Sequence, residues 1–131
     1  MEPIWIQQRV VIAAHEECLA EHGGPSGIRD LGLLESALAR PKNLYAYSEV
    51  APNLQQMAAA YAFGITANHP FVDGNKRTAL ITSMTFLKLN GVKVLAEKAD
   101  CYLTFYRLAA GEITEVQLAE WFDRNTAPLA G

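Results

Sequence analysis

The chain has 131 residues, half of them hydrophobic, and a formal net charge of −3, which suits one compact domain over residues 1–131 built on a single core. A mildly acidic balance excludes a broad nucleic-acid surface, because binding to backbone phosphates needs clustered Lys and Arg; no direct nucleic-acid partner is expected. The longest apolar stretches, 10–14 and 57–63, fall well short of the roughly eighteen residues that span a bilayer. The opening Met1-Glu2-Pro3-Ile4-Trp5-Ile6 carries neither a basic start nor a cleavage site, so a cytoplasmic location with no membrane partner is expected.

The apolar spacing predicts a first helix near 7–21, ended by His22-Gly23-Gly24-Pro25. His15, Cys18 and His22 fall at i, i+3 and i+7 on its one face, which could hold zinc, but no fourth ligand is apparent and a buried thiol is the more economical account. Asp30 is the expected N-cap of a second helix that runs to Ala39 and stops before Pro41. Arg29 and Asp30, in the loop before that helix, either form a structural pair or brace the motif at 69–80. Asn53, behind Pro52, caps a third helix carrying Leu54, Met57, Ala58, Tyr61, Ala62 and Ile65 at helical spacing. A fourth opens after Gly74, with Leu80, Met84 and Leu87 in register, and ends at Gly91. The spacing then predicts a helix over 98–110 closed by Gly111, and a last one opened by the capping box Thr114-x-x-Gln117 and carrying Val116, Leu118, Ala119, Trp121 and Phe122. Beyond Asn125 the tail is expected to fray. The fold class is therefore all-α, a bundle of about six helices. Cys18 and Cys101 both sit in helical patterns and read as two reduced, buried thiols.

The chemistry concentrates in His69-Pro70-Phe71-Val72-Asp73-Gly74-Asn75-Lys76-Arg77-Thr78-Ala79-Leu80. His69 lies at the exit of the third helix, and 75–77 form the opening turn of the fourth. Free backbone N–H groups and the positive end of the helix macrodipole make such a turn an anion site, to which Lys76 and Arg77 add two full charges. Asp73 stands where a phosphate-bound divalent ion could bridge to a carboxylate. A histidine is the side chain best suited to take a proton from a hydroxyl near neutral pH. Phe71 reads as an apolar anchor for the loop. A Walker phosphate loop is excluded, since Gly74-Asn75-Lys76 lacks the adjacent Gly-Lys pair.

At these residues the chain resembles the Fic/Doc family, whose signature reads His-Pro-Phe-x-Asp/Glu-Gly-Asn-Gly-Arg-x-x-Arg. Lys76 replaces the second glycine and Leu80 the second arginine, the form found in the Doc (death-on-curing) branch. The resemblance extends over Ile12-Ala13-Ala14-His15-Glu16, over Gly27 to Pro41, over Leu89-Asn90-Gly91-Val92 and over Ala110-Gly111-Glu112. It implies the compact helical Fic/Doc fold and a toxin of a type II toxin–antitoxin system. His69 would be the catalytic base and Asp73 the Mg2+ ligand, while Gly74, Asn75, Lys76 and Arg77 would contact the phosphates of ATP. The expected activity is that of a protein kinase that phosphorylates a threonine of translation elongation factor Tu. Lysine in place of glycine fills the space where α- and β-phosphates would lie on bare amides, and should turn the γ-phosphate toward the acceptor. AMP transfer of the Fic type and a catalytically silent binding module remain the alternatives. Ile81 replaces an asparagine of the Doc branch, removing a polar contact to the nucleotide.

Two further expectations follow from the resemblance. The segment 42–50, with Tyr45 and Tyr47, corresponds to a small β-hairpin flap that docks an extended target segment, or else is a surface loop whose tyrosines cover the core. No self-inhibitory segment of the Ser/Thr-x-x-x-Glu-Gly/Asn type is found, so restraint is expected in trans from an antitoxin of the Phd type, whose disordered C-terminal segment folds into a groove of the toxin.

Overall fold

The computed structural model describes residues 2–129. Its elements run α1 (Gln8–His22), α2 (Leu31–Tyr47), α3 (Leu54–Asn68), α4 (Asn75–Leu89), β1 (Val92–Val94), α5 (Lys98–Ala109), α6 (Glu115–Arg124) and β2 (Thr126–Pro128). The expected six-helix bundle is present. The anticipated capping box of Thr114 with Gln117 forms, and Asn53, expected as an N-cap, makes a second one with Gln56, each satisfying two otherwise unpaired backbone donors.

Helix α3 is the axis of the bundle and packs against α2, α4, α5 and α6. Its middle is buried on every side, and it reads Met57-Ala58-Ala59-Ala60-Tyr61-Ala62 before Gly64 and Ile65. Small residues allow several neighbours to approach one helix closely. The tightest approach is at Gly64, where a Cβ would lie 3.1 Å from the Ala37 Cα and carbonyl oxygen of α2. Gly64→Val is therefore expected to cost on the order of 1–3 kcal/mol through overpacking, seen as a lower midpoint in thermal unfolding. A midpoint at or above that of the parent chain would mean that this seam is not tight.

The second helix corrects the sequence reading. It does not stop before Pro41 but runs through it to Tyr47, where Ser48 N–H closes the last turn on Leu44 O. Pro41 cannot donate to the Ala37 carbonyl, and that carbonyl is the one set against Gly64. With Pro41 buried in the bundle, packing holds a helix that local preference would end. Residues 42–47 are consequently helix, neither loop nor flap. Tyr45 is half-buried with its ring edge-on to Trp5 at 5.9 Å, while Tyr47 is 83% exposed.

The small sheet lies elsewhere. Strands β1 and β2 pair antiparallel with Lys93 opposite Ala127, and the ladder is extended by Leu95 N–H to Asn125 O at 2.7 Å and Leu129 N–H to Gly91 O at 2.8 Å. The segment just beyond Asn125 is thus pinned to the bundle instead of fraying; 130 and 131 lie outside the described residues. The N-terminal segment is likewise held, with Ile6 N–H donating to the Tyr61 hydroxyl at 3.0 Å and Trp5 stacked on Phe86. Burial pushes the Tyr61 phenol up to about 12, so it stays a neutral partner in that bond.

Candidate active site

Helix α3 ends in a left-handed residue, His69, at φ 51° and ψ 55°, a conformation that a bulky non-glycine residue holds only when its surroundings impose it. They do so through the loop before α2. Arg29 donates from Nε to His69 O at 2.7 Å and from Nη2 to Asn68 O at 2.8 Å. The backbone N–H groups of Arg29 and Asp30 both donate to Pro70 O, and Val72 N–H donates to Gly27 O at 3.1 Å. Arg29 is therefore the brace of the motif. Asp30 is the N-cap of α2, accepting from Leu33 N–H at 3.0 Å.

Beneath the loop, Phe71 is fully buried, as an anchor should be. Its ring lies flat on the buried His15, centroids 3.9 Å apart and planes 11° from parallel. His15 Nε2 donates to the Asp73 carbonyl at 2.7 Å; a carbonyl only accepts, so the proton resides on Nε2. The Asn75 side chain closes the turn from the other end, its Oδ1 accepting from Phe71 N–H and its Nδ2 donating to Phe71 O, both at 2.9 Å. The Asn75 amide, read from sequence as a phosphate contact, is thus spent on the loop. What it leaves at the surface is the backbone of the first turn of α4.

That turn is open. Gly74 at φ 80° is its N-cap, with no side-chain cap and no acid in the first turn, so its orphan N–H groups face the cleft. Asp73 is exposed, with Oδ1 accepting from Gly74 N–H at 2.8 Å. Its other oxygen sits over Gly24, where a Cβ would come within 2.6 Å; the glycine at φ +114° is what makes room for this carboxylate. Lys76 Nζ lies 4.9 Å above the Tyr106 ring, and Arg77 Cζ lies 5.8 Å above the Tyr102 ring. Arg77 Nη1 also donates to His22 Nε2 at 2.8 Å. Among the described residues the ion pair between full charges is Arg40 with Glu115. Neither site cation is therefore neutralised by a carboxylate, and aromatic faces hold them at modest energy.

His69, Asp73, Gly74, Asn75, Lys76 and Arg77 line one cavity of about 400 Å³, together with Thr66 and Ala109. All the polar residues singled out in the motif are thus brought together, with Phe71 below them. Tyr45 and Tyr47 are not part of it; Tyr47 lines a separate groove along α2 with Arg40 and Glu115. Sequence reasoning missed Tyr102 and Tyr106, whose i, i+4 spacing on α5 was the available signal, and the supporting role of His15. The zinc reading of the α1 face does not hold: His15 is stacked under the motif, His22 bonds Arg77, and no cluster of three or more metal-ligating side chains occurs among the described residues. Burial raises the Cys18 and Cys101 thiols above their ordinary range, which keeps both protonated and poor as ligands or nucleophiles. No described helix is long and apolar enough to cross a membrane.

An uncapped helix start with two free cations, beside a histidine and a carboxylate, is built to hold a polyanion next to a proton acceptor. Residues 5–87 match the Fic/DOC family, and the chain belongs to that family. It is 34% identical over 119 residues to "Protein kinase doc" of Escherichia phage P1, covering 91% of this chain and 93% of that one. It is 44% identical over 75 residues to "Toxin Doc" of Mycolicibacterium smegmatis, covering 57% of this chain and 58% of the relative. The tyrosine pair of α5 lies beyond the matched 5–87.

Proposed function

We propose that this chain is the toxin of a toxin–antitoxin pair and a protein kinase that transfers the γ-phosphoryl group of ATP to a threonine hydroxyl of elongation factor Tu, arresting translation in the cytoplasm. The observation that carries the orientation is Lys76. Its amine rests on the Tyr106 face and takes up space between the first turn of α4 and helix α5 that a glycine would leave open. A nucleotide seated with its adenosine end there would have to displace a cation from an aromatic ring; a terminal phosphate would instead be drawn to it. The names of the two relatives, a toxin and a protein kinase, support the same reading.

The donor set fits the groups this activity needs. One exposed carboxylate, Asp73, matches the usual holding of magnesium by one or two protein oxygens plus phosphates, and the open turn with Lys76 and Arg77 matches a phosphate chain. Bound together, these groups would supply the phosphoryl donor and neutralise charge on the oxygens that separate from it. His69 accepts the proton of the attacking threonine hydroxyl as its oxygen bonds to the γ-phosphorus and the bond to ADP breaks, and later yields that proton to solvent. The N–H groups of α4, Lys76 and Arg77 hold the equatorial charge in place without moving. An antitoxin of the Phd type, folding its disordered C-terminal segment into a groove of the toxin, restrains the activity in trans.

The test is incubation with elongation factor Tu and ATP labelled at the α- or the γ-phosphate. Label from γ alone is expected. Label from α would establish AMP transfer and remove Lys76 from control of orientation, and no transfer of either would favour a binding module or another target. Lys76→Gly is expected to admit some α-label.

A further inference from the structure

The end of α1 meets two charged groups of the motif. Gly24 makes room for the Asp73 carboxylate, and two positions earlier His22 Nε2 takes a bond from Arg77 Nη1 at 2.8 Å. Arg77 lines the site cavity and also a second cavity of about 120 Å³ formed with α1 and α5. Glu17 and Glu21 line that second cavity beside Cys18, His22 and Tyr102. Two acids thus share a cavity with the site's arginine, yet among the described residues neither forms an ion pair with it.

A guanidinium only donates, so the Nε2 facing it carries a lone pair and the imidazole is neutral in this bond, with its proton on Nδ1. A neutral acceptor does here what a carboxylate would not. It holds the guanidinium in one orientation, occupies one of its several N–H donors, and leaves its full charge to attract an anion, where a carboxylate would cancel that charge. A ring face attracts the cation as a whole, so Tyr102 supports the guanidinium at 5.8 Å; the directional bond is the one to His22. Without that bond, a long flexible side chain has two acids in its own cavity to turn to.

Resting on the phosphate-binding reading above, we propose that His22 is a positioning residue of the anion site: as a neutral acceptor it fixes the Arg77 guanidinium for phosphate and withholds it from Glu17 and Glu21. Protonation disables it. An imidazolium has no lone pair to offer Arg77 and repels it, and Glu21 Oε2, 3.6 Å from Nε2, becomes its partner instead. The groups facing the ring are Glu17, Cys18 and Glu21 of its own helix, Arg77 of α4 and Tyr102 of α5. Histidines gain their charge between about pH 8 and 5, so acid opens the clamp.

Calorimetric titration of the whole chain with tripolyphosphate tests this. The His22 side chain is 44% exposed, so exchanging it should leave the thermal midpoint nearly unchanged. His22→Leu is expected to weaken tripolyphosphate about three- to tenfold at about pH 8, the effect of having to order one flexible side chain on binding. His22→Gln, whose amide oxygen accepts at any pH, should restore it. The affinity of His22→Gln relative to the parent is expected to rise from about one at about pH 8 to several-fold at about pH 6; the comparison cancels the titration of His69 and of the probe. In an Arg77→Leu background His22→Leu should have no further effect. Adding Glu17→Gln and Glu21→Gln should recover more binding in the His22→Leu chain than in the parent. The proposal is overturned if the ratio stays at one, if Gln binds no better than Leu, if the loss persists without Arg77, or if the acid exchanges help both chains equally. A parent that gains on His22→Gln in acid would make His22 a phosphate contact and overturn it too. A parent chain that binds no tripolyphosphate overturns the phosphate-binding reading itself; one that binds it with every His22 variant alike overturns the clamp alone.

Discussion

His69→Asn is expected to lower phosphoryl transfer by about 10²–10⁴-fold, the usual worth of a positioned general base, with the fold intact. The asparagine is chosen because position 69 is left-handed, a region that Asn tolerates better than Ala; His69→Ala should be as inactive but carry a small cost in stability. The backbone there does not depend on the imidazole. Arg29 holds the carbonyls of Asn68 and His69, and two N–H groups hold the carbonyl of Pro70, so the loop keeps its course when an exposed ring is exchanged. Incorporation of γ-label into elongation factor Tu, measured beside a thermal melt of the same preparation, checks the claim. Activity retained in either variant would remove histidine from the mechanism. Activity lost together with the melt would show that the residue is structural.

Most of this site is legible in the sequence, because its signals are local. Caps identify helix starts through bonds made within three residues, which is why Asn53 and Thr114 place α3 and α6 correctly. The motif crowds its base, carboxylate and cations into the nine residues from His69 to Arg77, so a short loop between α3 and α4 keeps them near one another. What was not legible depends on distant parts of the chain. Pro41 reads as a stop until α3 supplies Gly64 beneath α2, and packing then overrides the local preference. Strand β1 needs β2 from more than thirty residues away, with only three residues in each to announce it. Nothing near Lys76 or Arg77 indicates that α5 will lay tyrosine rings under them. Arg29 could be paired or bracing until Asn68 and His69 present their carbonyls.

Asn75 is where sequence and structure assign one side chain two different jobs, and the two have separable consequences. If the amide clasps Phe71, as its pair of 2.9 Å bonds indicates, Asn75→Ala leaves a buried N–H and a buried C=O without partners, at about 1–3 kcal/mol for each group orphaned. Asn75→Asp should be worse. It keeps an acceptor for Phe71 N–H, but it sets a carboxylate oxygen against the Phe71 carbonyl and buries a charge at a position only 5% exposed. Both variants are expected to unfold at clearly lower denaturant, Asp before Ala, and to lose transfer activity as the loop between His69 and the phosphate turn loosens. Equilibrium denaturation followed by fluorescence, paired with tripolyphosphate titration well below the unfolding midpoint, distinguishes the roles. Unchanged stability with phosphate binding lost would return the amide to the ligand; reduced stability, with binding that survives in the molecules still folded, leaves it to Phe71, and phosphate recognition at this position to the backbone N–H alone.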